Sequence, residues 1–181
     1  GQEGGIAIAD VLFGDFNPAG RLPFSVPRSV GQIPLYYNKK APQSHDYVEM
    51  SASPLYPFGY GLSYTSFDYS DLHLSALMPR SFEISFKVRN TGKYDGEEVA
   101  QLYLRDECAS VVQPLKQLKH FARFYLKRGE EREVKFILSE EDFSLVDRNL
   151  KKIVEPGTFQ IMIGAASNDI RSVSYTHLTL P

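Results

Sequence analysis

The sequence predicts a mainly β chain: a β-sandwich of about 110 residues, preceded by a shorter stretch of different build. Three observations carry this reading. From Phe67 onward, short runs alternate apolar and polar residues, the period of strands with one buried face. Turn chemistry separates the runs, at Asn90-Thr-Gly-Lys93, Lys127-Arg-Gly-Glu130 and Pro156-Gly157. Ahead of them lies Pro54-Leu-Tyr-Pro-Phe-Gly-Tyr-Gly-Leu-Ser-Tyr-Thr-Ser-Phe67. Its prolines, glycines and aromatics read as a structured seam between two units, since a flexible linker is poor in aromatics.

The elements follow in order. Ile6-Ala-Ile-Ala-Asp-Val-Leu-Phe13 before Gly14 predicts a short helix with a glycine stop. Its apolar residues cover nearly the whole circumference, and such a helix is buried in something larger. The chain is therefore expected to be the C-terminal piece of a longer protein. Asn17-Pro-Ala-Gly20 is a turn, Leu22-Pro-Phe-Ser-Val-Pro27 a short extended piece at a sheet edge, and 29–53 a surface excursion. Ser81–Asn90 alternates strictly, with Phe82, Ile84, Phe86 and Val88 inward. In Glu98–Arg105, Ala100, Leu102 and Leu104 line one face and Val99, Gln101, Tyr103 and Arg105 the other. Gln117–Leu126 and Glu131–Leu138 are two more strands, the second with Val134, Phe136 and Leu138 inward. Ser139-Glu-Glu-Asp142 reads as a helical turn capped by Ser139. Thr158–Ile163 and a strand from about Ile170 complete the set.

Bulk properties exclude several classes. The chain has 181 residues, 43% hydrophobic and 13% aromatic, enough to bury a core. A net charge of -2 gives no electrostatic case for nucleic acid or an anionic membrane. No apolar run approaches the roughly 20 residues of a membrane-spanning helix. The single cysteine, Cys108, excludes an intrachain disulfide.

Candidate chemistry is sparse. Glu97/Glu98, Glu130/Glu131 and Glu140/Glu141 are adjacent pairs, and neighbours on a strand point to opposite faces, so an adjacent pair cannot flank one scissile bond. They are read as solvated charge at strand ends. His45, His73, His120 and His177 share no ligand spacing with Cys108, and no metal site is expected. Gln2-Glu-Gly-Gly5 lacks the lysine of a phosphate loop. Lys116, Lys119, Arg123, Lys127 and Arg128 run into Glu130, Glu131 and Glu133, an ordinary mixed surface. Tyr36, Tyr37, Tyr56, Tyr60 and Tyr64 are assigned first to packing and only second to sugar stacking. No catalytic, cofactor-binding or metal-binding residue is assigned, and no cofactor is expected.

Four ordered motifs carry a resemblance. Gln2–Pro23, Pro27–Asn38, the seam Pro54–Thr65, and Asp95–Asp106 with Glu155-Pro-Gly-Thr-Phe159 together resemble glycoside hydrolase family 3, the last of them its fibronectin type III-like domain. The match departs at His120, where the family usually has glycine, and at Asn149–Glu155, which lacks a frequent tryptophan. The resemblance implies an immunoglobulin-like, fibronectin type III-like β-sandwich preceded by the end of an α/β sandwich domain. The expected bounds are 1–38 for that remnant, 39–65 for linker and junction, 66–176 for the β-sandwich, and 177–181 for a tail that is in part a cloning or assembly scar. Residues 66 to 176 are expected to fold alone.

By the same resemblance the whole protein is a retaining enzyme acting on β-linked glucosides or xylosides. Two carboxyl groups about 5 Å apart do that chemistry, and both would precede Gly1, leaving this chain inactive by itself. The implied partners are the upstream catalytic domains and, through the full enzyme, a β-glycoside. A periplasmic or extracellular location is implied too. The alternative is a free-standing, non-catalytic β-sandwich that binds a carbohydrate or a protein.

Overall fold

The computed structural model describes residues 2–40, 46 and 48–179. Alternation decides the core. Strand β2 (Ser81–Asn90) buries Ile84, Phe86 and Val88 and turns Lys87 and Arg89 toward solvent. It pairs on one side with β1 (Phe67–Met78) and on the other with β5 (Glu131–Leu138), where Ile84 stands opposite Phe136 and Phe86 opposite Val134. These three antiparallel strands form one sheet, in the order β1-β2-β5.

The second sheet has the order β4-β3-β8-β9, all antiparallel, from β3 (Gly96–Asp106), β4 (Gln117–Leu126), β8 (Gly157–Ala166) and β9 (Asp169–Leu178). A two-residue ladder of β6 (Leu145–Val146) and β7 (Lys152–Ile153) lies between β5 and β8 in sequence. The inner faces meet in one core containing Phe86, Leu102, Leu126, Phe136, Phe159 and Ile161. Seven long strands in two packed sheets are what the turn spacing predicts.

Four details differ from the sequence reading. First, β9 runs through His177 to Leu178, and Leu178 is buried in the core, so the sandwich passes the boundary drawn at 176. Leu180 and Pro181 lie outside the described residues. Second, Ser139 does not cap a helix. The segment is a turn in which the Ser139 N–H and hydroxyl both donate to Asp142 Oδ2, at 2.8 and 3.0 Å. Third, the 22–27 piece is no strand, because its prolines leave it one ladder contact, Val26 with Tyr56. Fourth, the outer face of β3 is buried as well: Gln101 is 3% exposed and Tyr103 fully covered, because the N-terminal segment lies over them.

That segment starts with helix α1 (Gly4–Phe13), stopped by Gly14 in the left-handed conformation with its N–H bonded to the Val11 carbonyl. None of its residues is buried, and Ile6, Ile8, Leu12 and Phe13 are exposed. A 3-10 turn (Val30–Gln32) follows. Buried Gln32 joins Arg28 to Ser51 and Ser53, accepting from the Arg28 N–H and donating to the Ser51 and Ser53 carbonyls.

Candidate functional site

Several long-range polar contacts converge on the seam 54–67. It runs beside 22–26: the Leu22 N–H donates to Tyr60 O at 2.9 Å, the Gly59 N–H to Leu22 O at 2.8 Å, and the Val26 N–H to Tyr56 O at 2.7 Å. On its other side the Ser167 N–H, at the β8–β9 turn, donates to Phe58 O at 2.9 Å. The seam thus ties the N-terminal segment to the sandwich through backbone that would otherwise need water.

Its aromatics make the apolar half of this joint. Phe58 stacks on Tyr37 with centroids 4.0 Å apart, and Tyr37 meets Tyr103 edge-on at 6.2 Å. Burial pushes the Tyr103 phenol well above its usual range, with Tyr37 adding to the shift. Tyr103 Oη donates to Gln101 Oε1, and Gln101 Nε2 donates to Ala165 O at 2.7 Å, so no polar atom of that pair is stranded under Phe58. Tyr56 and Tyr60 pack together at 4.9 Å, and Tyr64 Oη donates to Val11 O at 2.6 Å. Of the five tyrosines read as packing residues or sugar platforms, Tyr36 makes no ring or hydrogen-bond contact among the described residues, and it is exposed.

Two asparagines hold the polar half. Asn17 Oδ1 accepts from Ser63 Oγ and the Tyr64 N–H, while its Nδ2 donates to Asp95 O. Asn90, fully buried, accepts from Thr65 Oγ1 at 2.6 Å and the Gly92 N–H at 3.1 Å. It donates to Tyr94 O at 2.8 Å and Leu126 O at 3.1 Å. The inward series of β2 therefore ends on a polar residue whose hydrogen-bonding capacity is fully used.

The structure separates the candidate carboxylates. Glu97 faces out and pairs with Arg123, whereas Glu98 faces in, is buried, and pairs with Arg21. The expectation of solvated charge therefore fails at Glu98, because a partner 77 positions away covers it. Glu130 Oε2 accepts the Lys127 N–H, Glu131 lies 3.7 Å from Lys87, and Glu140 and Glu141 pair with Arg80 and Lys152 at the surface.

The described histidines stay apart. His73 is on β1 and His120 on β4, its Nε2 3.5 Å from Asp142 Oδ1 and without a hydrogen-bond partner among the described residues. His177 on β9 is within 3.2 Å of Thr158 Oγ1, and Cys108 is exposed and free. His45 lies outside the described residues. Among those described, no group of three His, Cys, Asp or Glu side chains could hold a metal ion. In the basic run, burial lowers the pKa of Lys116 and Lys119, and Lys116 Nζ donates to Ser167 O at 2.6 Å. A cleft of about 1080 Å³ opens between the end of α1 and strands β3 and β4, with Phe13, Phe16, Tyr94 and Tyr125 around it.

Residues 1–64 match the glycosyl hydrolase family 3 C-terminal domain, and residues 98–167 the fibronectin type III-like domain. The chain is a C-terminal part of glycoside hydrolase family 3. This family 3 segment is 46% identical to a periplasmic beta-glucosidase of Salmonella typhimurium, over 97% of the chain and 25% of that protein. It is 44% identical to a beta-xylosidase of Formosa agariphila, over 97% of the chain and 26% of the relative. Among solved structures, a β-glucosidase from Erythrobacter marinus superposes with a TM-score of 0.91 at 42% identity, over 97% of this chain and 24% of that one. A β-glucosidase from Listeria innocua bound to laminaribiose gives 0.89 at 36% identity, over 97% and 26%. The family 3 segment thus spans about a quarter of the length of the relatives it matches.

Proposed function

We propose that this chain is the C-terminal support of a retaining glycoside hydrolase that cleaves β-linked glucosides or related β-glycosides. The nucleophile and the acid/base lie in upstream domains of the same polypeptide, and the 181-residue chain alone is inactive. One observation carries the reading: α1 is apolar around nearly its whole circumference yet unburied, while the seam that follows it in the chain is tied to the sandwich. A helix of that kind demands a covering domain. The diverging Glu97 and Glu98 support the inactivity, since a retaining pair must face one bond.

The segment's own work is then mechanical. A joint that stacks Tyr37 on Phe58 and satisfies Asn17 and Asn90 holds the sandwich at a fixed angle to α1, and hence to whatever α1 is packed in. The test is hydrolysis of 4-nitrophenyl β-glucoside and β-xyloside by the purified chain. No turnover above buffer is expected, and clear turnover would overturn the placing of both carboxylates upstream. Retention on insoluble glucan or xylan would favour a free-standing binding module instead.

A further inference from the structure

Arg21 stands where three parts of the chain meet. It belongs to the N-terminal segment, its Nη1 donates to the Gly61 carbonyl of the seam at 3.4 Å, and its Nη2 donates to Glu98 Oε1 on β3. Glu98 shares the inward face of β3 with Ala100, Leu102 and Leu104, and its side chain is 4% exposed against 17% for Arg21. Its Oε1 also accepts the Val99 N–H at 2.8 Å. The charges are felt inside the core. Burial, then Glu98, push the Tyr69 phenol well up, and Arg21 opposes them.

Gly61 sets where the guanidinium goes. A Cβ there would collide with the Gly20 carbonyl oxygen and lie 2.9 Å from Arg21 Cδ and 3.2 Å from Arg21 Nη1. Only the missing side chain lets the seam close over Arg21. The consequence is one of charge. Removing Arg21 leaves the buried Glu98 carboxylate with the Val99 N–H but no countercharge, a far larger loss than the pair's net worth.

We propose that Arg21 is a latch: β3 holds Glu98 inside the sandwich only while the N-terminal segment supplies the guanidinium, so segment and sandwich fold and unfold as one unit. This departs from the sequence-based expectation that residues 66 to 176 fold alone. It deepens the support role above and rests on it only for its meaning in the whole enzyme. A rigid support needs a sandwich that cannot swing free of α1, and a charge buried across the joint makes swinging as unfavourable as unfolding.

The test uses the 181-residue chain in four variants: Arg21→Met, Gly61→Ala, Arg21→Met with Glu98→Gln, and Gly61→Ala with Glu98→Gln. Urea unfolding gives the equilibrium constants, and amide hydrogen exchange follows residues 17–27 and β3 separately. Arg21→Met should lower the folding constant on the order of 100-fold, as for a broken buried pair. Gly61→Ala, which leaves both charges in place, should act in the same direction by displacing Arg21. Adding Glu98→Gln should recover at least about tenfold in either background, because the stranded charge is gone. Exchange in the segment and in β3 should accelerate together.

If Arg21→Met does not fold, the paired variant with Glu98→Gln should. Equal loss with and without Glu98→Gln would overturn the latch, as would a segment that opens while β3 keeps its protection. Those results leave the glycosidase reading intact, whereas hydrolysis by the chain alone would overturn that reading and leave the latch standing.

Discussion

Replacing Asn90 by alanine probes the polar half of the joint directly. Four hydrogen bonds end on this side chain, and the consequences differ by partner. Gly92 N–H keeps a second acceptor, the Ser66 carbonyl at 3.2 Å, and the Tyr94 carbonyl belongs to an exposed residue and is expected to take water in place of Asn90. Thr65 and Leu126 are buried, so the Thr65 hydroxyl and the Leu126 carbonyl are left unpaired. Each stranded buried group costs about 1–2 kcal/mol, which gives about 3 kcal/mol for Asn90→Ala. For a chain of this size that lowers Tm by about 6–12 °C. Asn90→Asp keeps the shape but turns an acceptor toward the Leu126 and Tyr94 carbonyls, and should cost at least as much. Thermal and urea unfolding of the three proteins measure it. An Asn90→Ala chain within about 1 kcal/mol of the parent would refute the account, because the joint would then not depend on this network.

Other outcomes follow from the same geometry. Gly59 has φ 81°, and a Cβ there would lie 2.9 Å from Gln101 Nε2 and 3.1 Å from Ala166 Cα, so Gly59→Ala combines backbone strain with overpacking at about 3 kcal/mol. Gly129 shares the conformation in open space, and Gly129→Ala should cost only about 1–2 kcal/mol. Equal losses in urea would refute the packing argument. Asp95 accepts the Arg128 N–H at 2.7 Å and Tyr125 Oη at 2.8 Å, which hold its carboxyl below the ordinary range. A depressed folded-state value means that its stabilisation is complete above the unfolded value of about 3.9 and is lost as pH falls through the folded value. NMR titration should show Asp95 ionising below ordinary aspartates, and Asp95→Asn should remove that part of the acid limb. A normal or raised Asp95 titration would contradict the hydrogen-bonding account.

The strands were legible because their signal is local. Phe82 to Val88 and Val134 to Leu138 announce a buried face by alternation, and the two series meet in register across β2 and β5. The stop of α1 at Gly14 was legible for the same reason. The outer face of β3 was not, because nothing in Glu98–Arg105 records that Tyr37 and Phe58 will cover Gln101 and Tyr103. A strand with both faces buried looks like a half-buried one until its second cover is in place.

Sequence by itself determined a two-sheet sandwich, a seam that joins rather than links, an uncovered apolar helix and the family. Each depends on neighbours a few residues apart or on motifs read in order. Tertiary structure alone decided which of two adjacent glutamates is charge on a surface and which is charge in a core. Glu97 and Glu98 are chemically identical and one position apart, and the pleat sends them to opposite faces. What distinguishes them is Arg21, brought from the far side of the seam to the one that points inward. Burying a carboxylate is a property of the assembled joint, because only there is its countercharge within reach.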